Sequence, residues 1–205
     1  MHNERPSATA LFIAKSQLLL RSEAVSAARA DYYRAFVEAV EQKPWQPNMA
    51  ARYWHHFIER ISIPGIYLHY ALRKLCIEQI AKEFLEGGQV EQVVVIAGGF
   101  DPLLAMLSQQ YLSVAFFELD HPATQQAKRL ALTKLGHANN LTLIPIALTK
   151  QSIFEVLRGS SFSTDKPTLF IAEGISMYLD EMEIQRFFKE IRSCTRNENS
   201  HLLFT

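Results

Sequence analysis

Val93-Val94-Val95-Ile96-Ala97-Gly98-Gly99-Phe100-Asp101-Pro102 is a short run of β-branched residues that empties into a glycine pair. The run lacks the alternation of a half-exposed strand, as expected of a strand buried on both faces of a parallel sheet. The glycines let a ligand approach the backbone closely, and the helix read over 103–110 offers its N-terminal amides at the same place. A nucleotide-type cofactor fits such a turn. The spacing is not G-x-G-x-x-G, because Leu103 stands near the position of the third glycine, so hydride chemistry on a nicotinamide is disfavoured.

Beyond this turn, strand and helix patterns alternate. Residues 114–117, 141–146, 168–172 and 201–205 read as further strands, and 122–135 and 151–157 as helices between them. A last helix opens at the capping signature Asp180-x-x-Glu183 and places Ile184, Phe187, Phe188 and Ile191 on one face expected to be buried. Parallel neighbours need crossovers, so the pattern predicts an α/β fold with an open, doubly wound, mostly parallel sheet. Such sheets bind ligands beyond the carboxyl ends of their strands. The chain ends inside a strand with no covering helix, which suggests truncation and an exposed sheet edge through which copies could associate.

Upstream the pattern is helical. Residues 8–40 read as two helices, and Lys43-Pro44-Trp45-Gln46-Pro47 interrupts them because a residue before proline avoids the helical region. Pro64-Gly65 opens a helix to Glu86, with Ile77, Ile80, Ala81 and Phe84 on one face, and Gly87-Gly88 ends it. The expected division is therefore a helical cap over 1–86 and a Rossmann-like core over 87–205.

With 205 residues, 48% of them hydrophobic, the chain can bury a sizeable core. Twenty-one basic and 21 acidic residues leave no net field to attract nucleic acid or a membrane surface. Cys76 and Cys194 form no Cys-x-x-Cys, so the composition predicts a cytoplasmic protein without a metal site. The start, MHNERPSATA, lacks the basic start and apolar run expected of a signal peptide, and Arg21 and Glu23 soon follow the short run Leu18-Leu19-Leu20.

Carboxylates supply the remaining chemistry. Glu118 and Asp120 follow the second strand, where an acidic group can accept hydrogen bonds from both hydroxyls of a ribose. Either Asp120 or His121 would also cap the helix at Pro122. Glu173, after the fourth strand, is placed to meet a cationic ligand group.

Ala97-Gly98-Gly99-Phe100-Asp101, Glu118-x-Asp120-x-Pro122 followed by Lys128, and Ala172-Glu173-Gly174 followed by Met177-Tyr178-Leu179 together resemble the leucine carboxyl methyltransferase family. Its members are S-adenosylmethionine-dependent O-methyltransferases with the class I Rossmann-like fold. Ser7-Ala8-Thr9-Ala10 leading to Lys15, and Arg73 before Gly87-Gly88, agree with the resemblance. It implies that Arg73 and Lys15 hold the methionine carboxylate of the cofactor and that Gly98 and Gly99 line the methionine moiety. Asp120 with Glu118 would take the ribose, Leu148 would lie beside the adenine, and Glu173 would face the amino and sulfonium end. The family's sheet usually has seven strands, of which five are read here, in the expected spatial order three, two, one, four, five. Three positions depart from the family pattern: Ala97 replaces a glycine, Pro102 a threonine, and Ala147 the aspartate before Leu148.

The implied activity is methyl transfer to a carboxylate or hydroxyl of a small molecule or a peptide C-terminus. A carboxylate acceptor is already ionised and needs no general base; a hydroxyl needs one, for which Tyr178, His121 or a cap histidine are candidates. The cap would act as a substrate-side lid lined by Tyr53, Trp54, His55 and His56. The alternative is a non-catalytic binding module that keeps the fold, motivated by Ala97, Ala147 and the truncation.

Overall fold

A computed structural model describes residues 5–20, 25–46, 53–54, 57, 59–61, 63–136 and 138–205. Its strands are β1 (Gln92–Ile96), β2 (Ala115–Asp120), β3 (Leu141–Pro145), β4 (Thr168–Ala172) and β5 (His201–Phe204). They form one parallel sheet in the order β3-β2-β1-β4-β5. The chain leaves β1 toward β2 and β3, then returns to add β4 and β5 on the other side. The order therefore reverses beside β1, where the glycine turn emerges.

The helices are α1 (Ala8–Leu19), α2 (Ala27–Glu41), α3 (Ile66–Glu86), α4 (Leu103–Gln110), α5 (Pro122–Leu135), α6 (Ile153–Arg158) and α7 (Glu181–Ser193). Strand periodicity sorts the core between the two faces of the sheet. Val93, Val95, Phe116, Leu169 and Ile171 face one way and pack with side chains of α1 to α5. Val94, Ile96, Phe117, Leu119 and Phe170 face the other way and pack with α6 and α7. β1 is buried along its whole length, as its unbroken apolar run predicts.

Local chemistry explains the helix ends. The Ser7 hydroxyl accepts from the Ala10 amide at 3.2 Å and starts α1. α2 stops at Gln42, which is left-handed with φ 54°. His121 caps α5 through its ring nitrogen and Pro122 occupies the first turn, so Asp120 is left for other contacts. At α7 both halves of the Asp180/Glu183 capping box form.

Two expectations need correction. β2 runs on through Glu118 and Asp120, which pair in register with Leu143 and Pro145, so both carboxylates are strand residues pointing to the same face. On α7 only Phe187 and Ile191 are buried, whereas Ile184 is half-buried and Phe188 is 41% exposed. That helix lies over the edge of the sheet, where the four-residue β5 offers too little surface to cover the whole stripe. The helices before Gly87 have no separate core among the described residues: Ala14, Tyr33, Phe36, Ile77 and Ala81 share one cluster with the sheet. No helix among the described residues is long and apolar enough to cross a membrane.

Ala97 has φ 56°, in the region that disfavours any residue with a Cβ. Relief of that strain should exceed the loss of one methyl contact and the added chain entropy of glycine. Ala97→Gly is expected to stabilise the fold by about 0.5–1 kcal/mol, read as a higher melting temperature.

Candidate functional site

The glycine turn at the end of β1 is held from below by a buried ion pair. Glu118 is 1% exposed, and its two oxygens accept from the Lys128 ammonium at 2.7 and 2.8 Å. The same ammonium donates to the carbonyls of Gly99 and Asp101 and lies 5.3 Å from the Phe36 ring centroid. Burial pushes the Glu118 carboxyl above its ordinary value against the opposing pull of Lys128. A Cβ on Gly98 would stand 2.9 Å from Val95 Cγ1 and 3.2 Å from Glu118 Cδ. Gly98 is thus small because Val95 and the buried Glu118 side chain leave no room for a Cβ. Gly99, at φ 55°, is pressed from above, where its Cβ would be 3.0 Å from that of Ala10 on α1.

Asp120 ends β2 beside this turn. One carboxylate oxygen accepts from the Gly99 amide at 2.6 Å and the other from the His121 amide at 2.6 Å. Burial raises its pKa, with the two amides opposing. Each oxygen keeps a lone pair for a further donor.

A second charge cluster ties the helices to the other side of the turn. Asp101 accepts from the Leu103 amide at 2.8 Å, at the start of α4, and pairs with the Lys74 ammonium. The Arg29 guanidinium lies 3.6 Å from the same carboxylate and also pairs with Glu78. Burial drives the Asp101 carboxyl up, but Lys74 and Arg29 outweigh it and hold its pKa at about 2. Glu173, one residue past β4, accepts from Arg73 Nε at 2.9 Å and pairs with Nη2 at 2.8 Å. Lys74 Nζ is 3.2 Å from both Glu173 oxygens. Gly174, at φ 63°, leaves room for the arginine, since a Cβ there would be 3.3 Å from Arg73 Nη2.

Between these clusters lies a cavity of about 300 Å³, at the small end of the range for small-molecule sites. Ala97, Gly98 and Gly99 line it together with Glu118 and Asp120. Arg73, Lys74, Asp101 and Glu173 form a charged wall, α1 contributes Thr9, Ala10 and Ile13, and Tyr70, Met177 and Tyr178 are among the other lining residues. Two cations and four carboxylates are thus brought to the cavity, and Lys128 and Arg29 behind the lining offset Glu118 and Asp101.

The cavity gathers Arg73, Gly98, Gly99, Glu118, Asp120, Glu173 and Tyr178 from the residues singled out in the sequence. Glu118 contributes to the lining, yet its carboxylate is engaged by Lys128. Tyr178 is 60% exposed. Lys15 and Leu148 are not in the lining. Lys15 pairs with Glu41 and lies 5.6 Å from the Trp45 ring centroid, because α1 turns Thr9, Ala10 and Ile13 toward the cavity and carries Lys15 around its axis. Leu148 packs with the apolar cluster on the opposite face of the sheet. Tyr53 and Trp54 are exposed and outside the lining, and His55 and His56 lie outside the described residues.

Sequence reasoning missed Lys74, the role of Asp101, and Tyr33, which is fully buried and lines the same cavity. One signal was present. The buried side of α3 runs Tyr67, Ala71, Lys74, Ile77, Ala81, Leu85, so a lysine occupies the middle of a helix's core stripe. Burial of an ammonium there is tolerable only with carboxylates beside it.

Two outcomes follow for stability. Lys128→Met is expected to cost about 3–5 kcal/mol, because Glu118 is left buried without its cation, and adding Glu118→Gln should recover most of the loss in a denaturant titration. Asp101 titrates below its ordinary 3.8, so the stability it contributes is complete above 3.8 and is lost as pH falls toward about 2. Chemical unfolding of Asp101→Asn across this range should show a flatter acid limb than the unaltered chain.

Known proteins share this sequence pattern. A Mycobacteroides abscessus protein named "Putative S-adenosyl-L-methionine-dependent methyltransferase" is 25% identical over 191 residues, covering 92% of this chain and 63% of the relative. Bacillus subtilis YktD, which carries the same description, is 31% identical over 113 residues, covering 53% of this chain and 35% of its own length. The chain thus spans less than two thirds of either relative. The crystal structure titled as a putative methyltransferase from Thermobifida fusca shares the fold, with a TM-score of 0.56 at 14% identity, covering 83% of this chain and 64% of that one. The sequence model described as leucine carboxyl methyltransferase matches residues 11–192, from the first helix through the one before β5. A match over that length carries the helices, the glycine turn and both charge clusters together, and the chain belongs to the leucine carboxyl methyltransferase family.

Proposed function

We propose that this chain binds S-adenosylmethionine and serves methyl transfer to a carboxylate or hydroxyl of a small molecule or peptide C-terminus. The supporting observation is convergence: groups matched to the methionine carboxylate, the amino group and the ribose hydroxyls of that cofactor line one cavity at the switch point of the sheet. Arg73 offers a planar two-pronged donor for the methionine carboxylate. Glu173 would accept from the amino group, and Asp120 has lone pairs left for the ribose hydroxyls. The Arg73–Glu173 pair is itself complementary to a zwitterion, because each member can exchange its partner for one end of an amino acid without either charge being left unpaired.

Once bound, the cofactor supplies a methyl group on a sulfonium, an electrophile that needs no metal or acid to activate it. The protein's part is then positioning and exclusion of water. The turn 97–99 is wedged between the Lys128–Glu118 pair and α1, so the floor beneath the reacting centre is rigid. An acceptor carboxylate needs no proton removed, whereas a hydroxyl could pass its proton to Tyr178 only if that phenol were first ionised. The carboxylate is the acceptor that asks no proton transfer of the lining.

Calorimetric titration with S-adenosylhomocysteine should show binding, and Arg73→Ala should weaken it by about 10- to 100-fold with the circular dichroism spectrum retained. A folded chain that binds nothing at millimolar ligand would overturn the reading and leave the non-catalytic module. Labelled methyl transfer to a panel of acids and phenols then separates the acceptors: methyl esters release methanol in mild alkali, and methyl ethers do not.

A further inference from the structure

Lys74 does more than hold α3 to Asp101. It occupies the centre of the buried stripe of α3, between Ala71 and Ile77, where an aliphatic side chain would fill the core without desolvating a charge. Its ammonium is instead brought to the cavity wall, paired with Asp101 and 3.2 Å from each oxygen of Glu173. Asp101 alone would neutralise it. The second carboxylate is shared with the neighbouring Arg73, so two cations from consecutive residues meet one glutamate at the same end of the cavity. Lys15, the cation the family resemblance pointed to, is committed to Glu41 and Trp45 outside the cavity lining.

We propose that Lys74, and not Lys15, is the second cation that binds the ligand's carboxylate beside Arg73. This assignment rests on the cofactor reading above. The charges balance on exchange: the wall holds two cations, Arg73 and Lys74, and two anions, Asp101 and Glu173. An amino-acid end brings one more of each sign. Its carboxylate takes the place of Glu173 on Arg73 and Lys74, and Glu173 turns to its ammonium. Asp101 stays on Lys74 throughout and keeps the lysine aimed at the cavity. No charge is left without an opposite partner before or after, which is what makes the exchange feasible in a desolvated site.

The test compares two ligands that share the adenosine and sulfur. S-adenosylhomocysteine carries the amino-acid end, and 5′-methylthioadenosine lacks it. Lys74→Met should lower affinity for the first by about 10- to 100-fold in calorimetry while affinity for the second stays close to that of the unaltered chain. Lys74→Arg, which keeps the charge, should restore much of the loss. Because Lys74→Met strands Asp101 in a buried position, Lys74→Met/Asp101→Asn is measured alongside it, and the same selective loss is expected in that neutral pair. Equal losses for both ligands would make Lys74 a structural residue and overturn the proposal. So would the absence of any loss, or a selective loss produced by Lys15→Met and not by Lys74→Met. If the unaltered chain binds neither ligand, the cofactor reading itself falls and takes this assignment with it; binding by the unaltered chain with no ligand-selective effect at Lys74 overturns this assignment alone.

Discussion

Asp101 is the point at which three separate parts of the chain are held together. Its carboxylate accepts from the first turn of α4, pairs with Lys74 on α3 and lies beside Arg29 on α2. A buried carboxylate would normally be costly, and it stays ionised only because two buried cations surround it. The consequence is geometric. Two helices that precede the sheet are anchored to the loop leaving β1, so the wall of the cavity and its floor cannot drift apart without exposing unpaired charge to a low-dielectric interior.

The Lys128–Glu118 pair plays the matching role beneath the turn. Lysine supplies the glycine-turn carbonyls with donors while glutamate supplies the counter-charge, and the pair fills the space that forces Gly98 to remain small. Pairs of this kind are weak sources of net stability, since desolvation consumes most of the attraction. What they provide here is position: the Lys128 ammonium bridges Glu118 and the carbonyls of Gly99 and Asp101, so the turn is held against it, including the left-handed Ala97 that local preference opposes. A site built on carbonyls and amides needs that rigidity more than it needs a few kilocalories of stability.

The two charge clusters also explain why a chain with no net charge can present a polarised cavity. Its carboxylates at the cavity are balanced in part by cations behind the lining, Lys128 and Arg29 among them, so charge is distributed by depth and not by composition. Relatives in the leucine carboxyl methyltransferase family need not carry the same clusters residue for residue. In this chain, the position of Lys15 against Glu41 and that of Lys74 against Asp101 show that the cations of the wall come from α3.

Local pattern along the chain was enough to read the strands, most helix boundaries, the capping box at Asp180 and the glycine turn, because each depends on residues within a few positions of one another. The period of β1 required burial on both faces, and burial on both faces required helices on both sides. The carboxylates at 118, 120 and 173 were legible for the same reason, as groups at strand ends. Lys74, by contrast, looked like one more helical lysine until α3 was packed against the sheet, and Lys15 looked available until α1 was rotated into place. Helix rotation and the pairing of charges distant in sequence are settled only when desolvation forces every buried ion to find a partner. Burial, which no single segment specifies, chose between the two lysines.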